Sequence, residues 1–180
     1  KTICEYNYQL SKLNYLLEEK DMKEDIFEKV IPSYYIYYKD GMLKDYSEVS
    51  RFIQKAGMEC LELNPEIKYV EPDYCFVNYL DGEYREKIIE IRYAQAVVKN
   101  DKQFKENEYI KFMDLPETKW ICIYHKGAYN TLGISYGKII KYIEDNKLQI
   151  VECPRECYID GIWNKENVEE WLTEIQVPIK

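Results

Sequence analysis

The chain repeats itself. Ile31-Pro32 is matched 84 residues on by Leu115-Pro116, Tyr74 by Tyr158, and Glu90-Ile91 by Glu174-Ile175. Asp40-Gly41 finds its counterpart in Lys126-Gly127 at 86, which needs a small insertion. Matches at one interval, set in one order of β-rich and helical stretches, argue for a duplicated β-α-β-β unit. Two such halves predict an α+β fold with a six-stranded antiparallel sheet or barrel and two helices. Repeat one runs over about 25–98 and repeat two over about 107–180. A pseudo-twofold between them leaves a central cleft, a natural place for a ligand.

The local patterns fill in that frame. Residues 26–39 are β-rich and end in the Asp40-Gly41 turn. Residues 46–56 read as a helix with Val49, Phe52, Ile53 and Ala56 on one face and Gly57 as its C-cap. Residues 68–80 and 84–98 read as strands around an Asp81-Gly82 hairpin turn, and the polar stretch 99–107 reads as a loop. The second half follows suit: strand over 110–124, helix over 132–143, strands over 148–159 and 168–179. Ahead of both lies a Gly- and Pro-free stretch, 1–24. Its Ile3, Tyr6, Leu10, Leu13 and Leu17 are spaced 3, 4, 3 and 4, as in a coiled-coil seam. A helix packed on its own domain would use the same stripe. The start at Lys1 rather than Met is expected of a fragment of a longer product.

Composition narrows the function classes. Acidic residues number 33 against 25 basic, a net charge of −8. Such a surface is a poor partner for phosphate backbones and a good one for cations. One histidine excludes a His-rich metal site. Cys153 and Cys157 form a CxxxC without the second Cys or His pair that zinc needs. The six cysteines are expected as free thiols in a cytoplasmic protein. No phosphate-binding glycine loop, metal set or other cofactor motif is present, and no apolar run reaches the roughly 18 residues of a membrane span. Tyrosine is the outlier, at 19 of 180 residues. Each ring has a polar tip to satisfy, so some are expected to line a surface or pocket.

The residues best suited to chemistry lie in Pro154-Arg155-Glu156-Cys157-Tyr158. Strand alternation puts Glu156 and Tyr158 on one face. A carboxylate beside aromatic rings suits a lipophilic cation. A surface ion pair between Glu156 and Arg155 is the plainer alternative. Glu174 alternates with Ile175 and Val177, so it faces away from them, toward cleft or solvent. Trp120 and Trp163 are of a kind found more often at core or edge positions than in ligand contacts. His125, beside the Lys126-Gly127 turn, is expected to be exposed and has no Ser or Cys spacing that makes a triad.

Three stretches together resemble the GyrI-like, or bacterial effector-binding, domain. They are Trp120-Ile121-Cys122-Ile123-Tyr124-His125-Lys126-Gly127-Ala128-Tyr129 with Tyr136, Pro154-Arg155-Glu156-Cys157-Tyr158, and Thr173-Glu174-Ile175-Gln176-Val177-Pro178-Ile179. The resemblance covers about 26–180. Residues 1–24 are similar to the end of the dimerising helix that leads into such a domain in MerR-type activators of the BmrR kind. It implies a homodimer through residues 1–24 and DNA binding only through an N-terminal helix-turn-helix outside this chain. It also implies a pocket for cationic aromatic small molecules, with Glu156 at the position of the family's glutamate. Tyr46 matches a pocket tyrosine, Trp171 stands where the family has a tyrosine, and Tyr129 lies near another pocket aromatic. Tyr158, Glu174 and Trp120 complete the candidate ligand contacts.

Three functions are open on this reading. The first is the effector-binding domain of a MerR-type, multidrug-responsive transcription regulator. The second is a stand-alone GyrI-like hydrolase of strained electrophiles, with Glu156 as base and Tyr158 or Tyr46 assisting. The third is a protein-binding antitoxin module. The heptad stretch favours the first, since a stand-alone hydrolase needs no such lead-in.

Overall fold

A computed structural model describes residues 26–81, 85–101 and 103–180. The coiled-coil expectation for 1–24 and Gly82 of the expected hairpin turn lie outside these residues. The element order is β1 (Phe27–Ile31), β2 (Tyr34–Leu43), a 3-10 turn (Tyr46–Glu48), α1 (Val49–Leu63), β3 (Cys75–Tyr79) and β4 (Ile89–Val97). There follow β5 (Lys111–Leu115), β6 (Thr118–Lys126), a 3-10 turn (Tyr129–Thr131), α2 (Leu132–Asp145), β7 (Arg155–Asp160), a 3-10 turn (Val168–Glu170) and β8 (Leu172–Pro178).

The fold is α+β, and its registered strand pairings are all antiparallel. The described residues hold eight strands, not six. Proline explains the difference. Each expected first strand carries an Ile-Pro or Leu-Pro step, and proline has no N–H for a ladder and restricts the residue before it. Pro32 therefore separates β1 from β2, and Pro116 separates β5 from β6. Proline also shortens two later strands. Pro72 and Pro154 stand just ahead of β3 and β7, and upstream only single bridges form, Tyr69 with Val97 and Ile150 with Ile179.

The chain folds as two units. Among the described residues, one comprises 26–32 with Glu117–Glu152 and Tyr158–Lys180, and the other comprises Ser33–Pro116 with Cys153–Cys157. We call them the C-terminal and the central unit. β1 pairs with β6 in the C-terminal unit, although its neighbour in sequence, β2, lies in the central unit, where it pairs with β4 and β5.

In the C-terminal unit, Ile121 and Ile123 of β6 and Ile175 and Val177 of β8 face Leu132, Ile139 and Ile143 of α2. The helix buries Leu132, Ser135, Ile139 and Ile143, the stripe of a one-sided helix. It ends on Lys147, whose φ of 55° is left-handed, while the Leu148 N–H reaches back to the Ile143 carbonyl at 3.0 Å.

In the central unit, α1 buries Phe52, Ala56 and Cys60, each 83 residues before a buried position of α2. The Asp45 side chain accepts from the Ser47 N–H at 2.9 Å and opens the helix. The helix continues through Gly57 to Leu63. Gly57 is thus a helix-interior residue and not the expected C-cap; Asn64, followed by Pro65, supplies the stop. The opposite sheet face is built of Ile36, Phe76, Ala94, Ala96 and Cys157 beneath Tyr34, Tyr38 and Tyr74. Alternation along β2 thus divides the tyrosine run: Tyr34 and Tyr38 on one face, Tyr35 and Tyr37 on the other.

Candidate functional site

The C-terminal unit brings together three of the candidate rings. Tyr129 opens the 3-10 turn that leads into α2. Its ring lies 4.8 Å from Trp171 and 5.3 Å from Tyr158, centroid to centroid. All three are half-buried, so they combine packing with an open side. Gly161 lets the cluster close: a Cβ there would stand 2.5 Å from the Tyr129 hydroxyl and 2.4 Å from the Trp163 ring. Trp163 and Trp171, with Ile162, Asn164, Lys165 and Glu166, line an open recess of about 550 Å³.

The loop that carries Tyr129 is tied down at both ends. Gly127, at φ 111°, donates its N–H to the Trp171 carbonyl at 2.9 Å. His125 holds the other end. It is 6% exposed, which corrects the expectation of an exposed residue. Its strand position explains this: it shares the parity of Ile121 and Ile123 and so points under α2. Nδ1 lies 2.8 Å from Ser135 Oγ, and Nε2 lies 3.1 Å from the Ala128 carbonyl and 3.0 Å from Thr131 Oγ1. The run Ile121-Cys122-Ile123-Tyr124-His125 carried the signal for this burial, and the adjacent turn masked it.

Glu156 belongs to the central unit. It is 4% exposed, so it is not a surface residue. It stands opposite Val77 of β3, on the sheet face that carries α1. Two contacts hold its strand in place. Asn78 Nδ2 donates to the Pro154 carbonyl at 2.8 Å. On the other face, Arg155 lies 4.2 Å over the Phe76 ring and donates to Tyr74 Oη at 3.1 Å. Tyr79, two residues beyond Val77, shares the face of Glu156. Its ring meets that of Tyr46 edge-on at 5.4 Å. Tyr79 is a neighbour that the motif reading did not pick out.

Glu174 and Trp120 are engaged within the C-terminal unit. Glu174 faces away from Ile175 and Val177, as alternation requires. At 4% exposure it pairs with Lys29 at 2.5 Å and accepts from Gln176 Nε2 at 3.0 Å. Trp120 is buried on β6 between Lys29 and Pro178 in register. Trp171 has the parity of Thr173 and Ile175, so it and Glu174 sit on opposite faces. Among the described residues no group of His, Cys, Asp and Glu is placed to hold a metal ion. Nor is any described helix long and apolar enough to cross a membrane.

The model of the GyrI-like small molecule binding domain matches residues 38–180. The chain belongs to this family. Two solved structures extend the assignment of this GyrI-like domain. The EcmrR C-terminal domain is 36% identical, with a TM-score of 0.79 over 88% of this chain and 99% of that one. The EcmrR–DNA complex gives 35% identity and a TM-score of 0.80 over 96% of this chain, which spans 65% of the EcmrR chain there. EcmrR is a MerR-family regulator, and the GyrI-like domain described here resembles its C-terminal effector-binding domain. A hydrolase from Listeria innocua shares the fold at 9% identity and a TM-score of 0.63, covering 96% of this chain and 98% of that one. No curated protein sequence matches the chain significantly.

Proposed function

We propose that this GyrI-like domain is the effector-binding part of a MerR-type transcription regulator and that it takes lipophilic aromatic cations. The likeness to the EcmrR C-terminal domain carries the regulatory role, because it runs along 99% of that domain at 36% identity. The ligand class rests on two local arrangements. The half-buried rings of Tyr129, Tyr158 and Trp171 offer flat apolar surface and negative ring faces. The buried side chain of Glu156 offers an acidic group to a cation, and Tyr46 adds a further ring. Residues 1–24 dimerise the domain and pass its ligand state to DNA-binding heads. That coupling requires the ligand to bind one state of the domain more tightly than the other.

Titration of tryptophan fluorescence tests the reading, with tetraphenylphosphonium as the cation and triphenylphosphine oxide as its neutral counterpart. Saturable quenching by the cation is expected, with a dissociation constant near the micromolar range, about −8 kcal/mol. Glu156→Gln is expected to weaken the cation at least tenfold, about 1.4 kcal/mol, and to spare the neutral compound. Equal cation affinity in Glu156→Gln would sink the charge argument. Turnover of a strained electrophile, abolished by Glu156→Gln, would replace the sensor with a hydrolase.

A further inference from the structure

We infer that His125 is a positioning residue for the ring cluster: it sets where Tyr129 stands against Trp171 and Tyr158 without touching a ligand itself. This rests on the reading of those rings as the ligand surface.

The hydrogen bonds assign the tautomer. The Ala128 carbonyl can only accept, so Nε2 of His125 carries the proton and is directed at it, with Thr131 Oγ1 beside it. In the neutral ring Nδ1 is then the acceptor, and the Ser135 hydroxyl donates to it. Thr131 strengthens the arrangement: both its hydroxyl, at 2.7 Å, and its N–H, at 3.0 Å, donate to the same Ala128 carbonyl. One imidazole thus joins three pieces of structure: the end of β6, the peptide just before Tyr129, and the first full turn of α2. Gly127 fastens the other side of the loop to the Trp171 backbone. Tyr129 lies between these fastenings, and its ring has one seat, against Trp171 and Tyr158.

The two ring nitrogens have separable jobs, which gives the inference a test. Glutamine places a donor near the position of Nε2. Asparagine reaches only as far as Nδ1. His125→Gln keeps the bond to the loop, and His125→Asn keeps only the Ser135 side. The intact 180-residue chain carrying each change is compared with wild type in two ways. The first is the indole N–H resonance of Trp171, assigned with Trp171→Phe and read without ligand. The second is the tetraphenylphosphonium titration. His125→Gln is expected to leave the resonance in place and the affinity within about threefold, whereas His125→Asn shifts the resonance and weakens binding at least tenfold. Thr131→Val, which keeps the shape and removes the hydroxyl, is expected to fall between them and serves if His125→Asn does not fold. The inference is overturned if both His125 variants keep the wild-type resonance. It is also overturned if both move it alike in proportion to lost thermal stability. Should wild type fail to bind the cation, the ligand reading fails, and the resonance still decides the positioning role.

Discussion

Gly161→Ala is the sharpest probe of the ring cluster. Its Cβ would enter 2.4 and 2.5 Å from two Trp163 ring carbons and 2.5 Å from Tyr129 Oη. Carbon atoms rest about 3.5–4.0 Å apart, so each neighbour must retreat by about 1 Å. The two differ in their freedom to do so. Trp163 is 55% exposed and can swing outward. Tyr129 is held between Tyr158 and Trp171, and its retreat opens ring contacts worth about 0.5–1.5 kcal/mol each. Overpacking of this kind costs about 1–3 kcal/mol. The backbone at Gly161 is not left-handed, so alanine regains about 0.4–1 kcal/mol through the unfolded chain. The net loss is about 1–2 kcal/mol, or about 2–4 °C of melting temperature per kcal/mol at this size. Tyr129→Phe removes the offending oxygen and keeps the ring. Gly161→Ala/Tyr129→Phe should therefore recover about 1 kcal/mol relative to the sum of the single changes, and Gly161→Ala/Trp163→Ala should recover little. Urea unfolding of the six proteins in these two cycles, followed by tryptophan fluorescence, reads this directly. Recovery in the Trp163 double variant instead, or a Gly161→Ala protein as stable as wild type, would refute the reasoning.

Buried polar groups give two more expected outcomes. Burial pushes the Cys60 thiol up to about 12 and raises Tyr37 and Tyr93 above the usual phenol range. These groups are held neutral when folded and ionise more readily when unfolded. The stability they contribute is complete below the ordinary thiol value near 9 and is lost as pH rises toward 12 and beyond, at about 1.4 kcal/mol per pH unit for each group. Alkaline melts should show that slope, with Tyr37 and Tyr93 silent at 295 nm until unfolding. Stable native protein with all phenols titrating near 10 would contradict it. The Lys29–Glu174 pair gives an asymmetric prediction. Lys29→Met leaves a carboxylate buried without its cation and should cost about 3–5 kcal/mol. Glu174→Gln leaves a lysine that can reach solvent and should cost clearly less in the same thermal melts.

Much of the frame was legible in the residues. The two helices, their order among strands and the 99–107 loop are all readable from periodicity and turn chemistry. What periodicity misses are events of single residues. Ile31-Pro32 and Leu115-Pro116 are markers of repetition, yet the same prolines split each first strand in two. Gly57 has the composition of a cap, but a helix stops only where its downstream residues leave the helical pattern, and these stay helical until Asn64-Pro65. At the site, the alternation of Glu156 with its neighbours and of Glu174 against Ile175 and Val177 was readable. The burial of His125 was not, because proximity to a glycine turn outweighed the strand parity that governs it. Tyr79 and Gly161 have no local signal: their roles exist only where Tyr46 and Tyr129 arrive from elsewhere in the chain.

The two helix entries show what duplication leaves free. Their 3-10 turns begin at Tyr46 and Tyr129, 83 residues apart, and each presents its tyrosine to further rings. Behind the turns, the space between strand and helix is filled in opposite ways. In the central unit the strand contributes Gly41 and the helix Phe52, so close that a Cβ on Gly41 would stand 2.4 Å from the ring. In the C-terminal unit, 84 residues on along the strand and 83 along the helix, the strand contributes His125 and the helix Ser135. Bulk has passed from helix to strand, with total volume roughly kept, the kind of exchange a packed core tolerates. The chemistry of the lock has changed with it. A phenyl ring fills space without direction, and the neighbouring helix entry brings Tyr46 edge-on to Tyr79. An imidazole holding separate partners on its two nitrogens fixes orientation as well as distance. It backs the entry whose tyrosine must meet both Tyr158 and Trp171. Equal frames thus carry locks of unequal direction, and the directional one stands behind the entry where Tyr129 meets Tyr158 and Trp171.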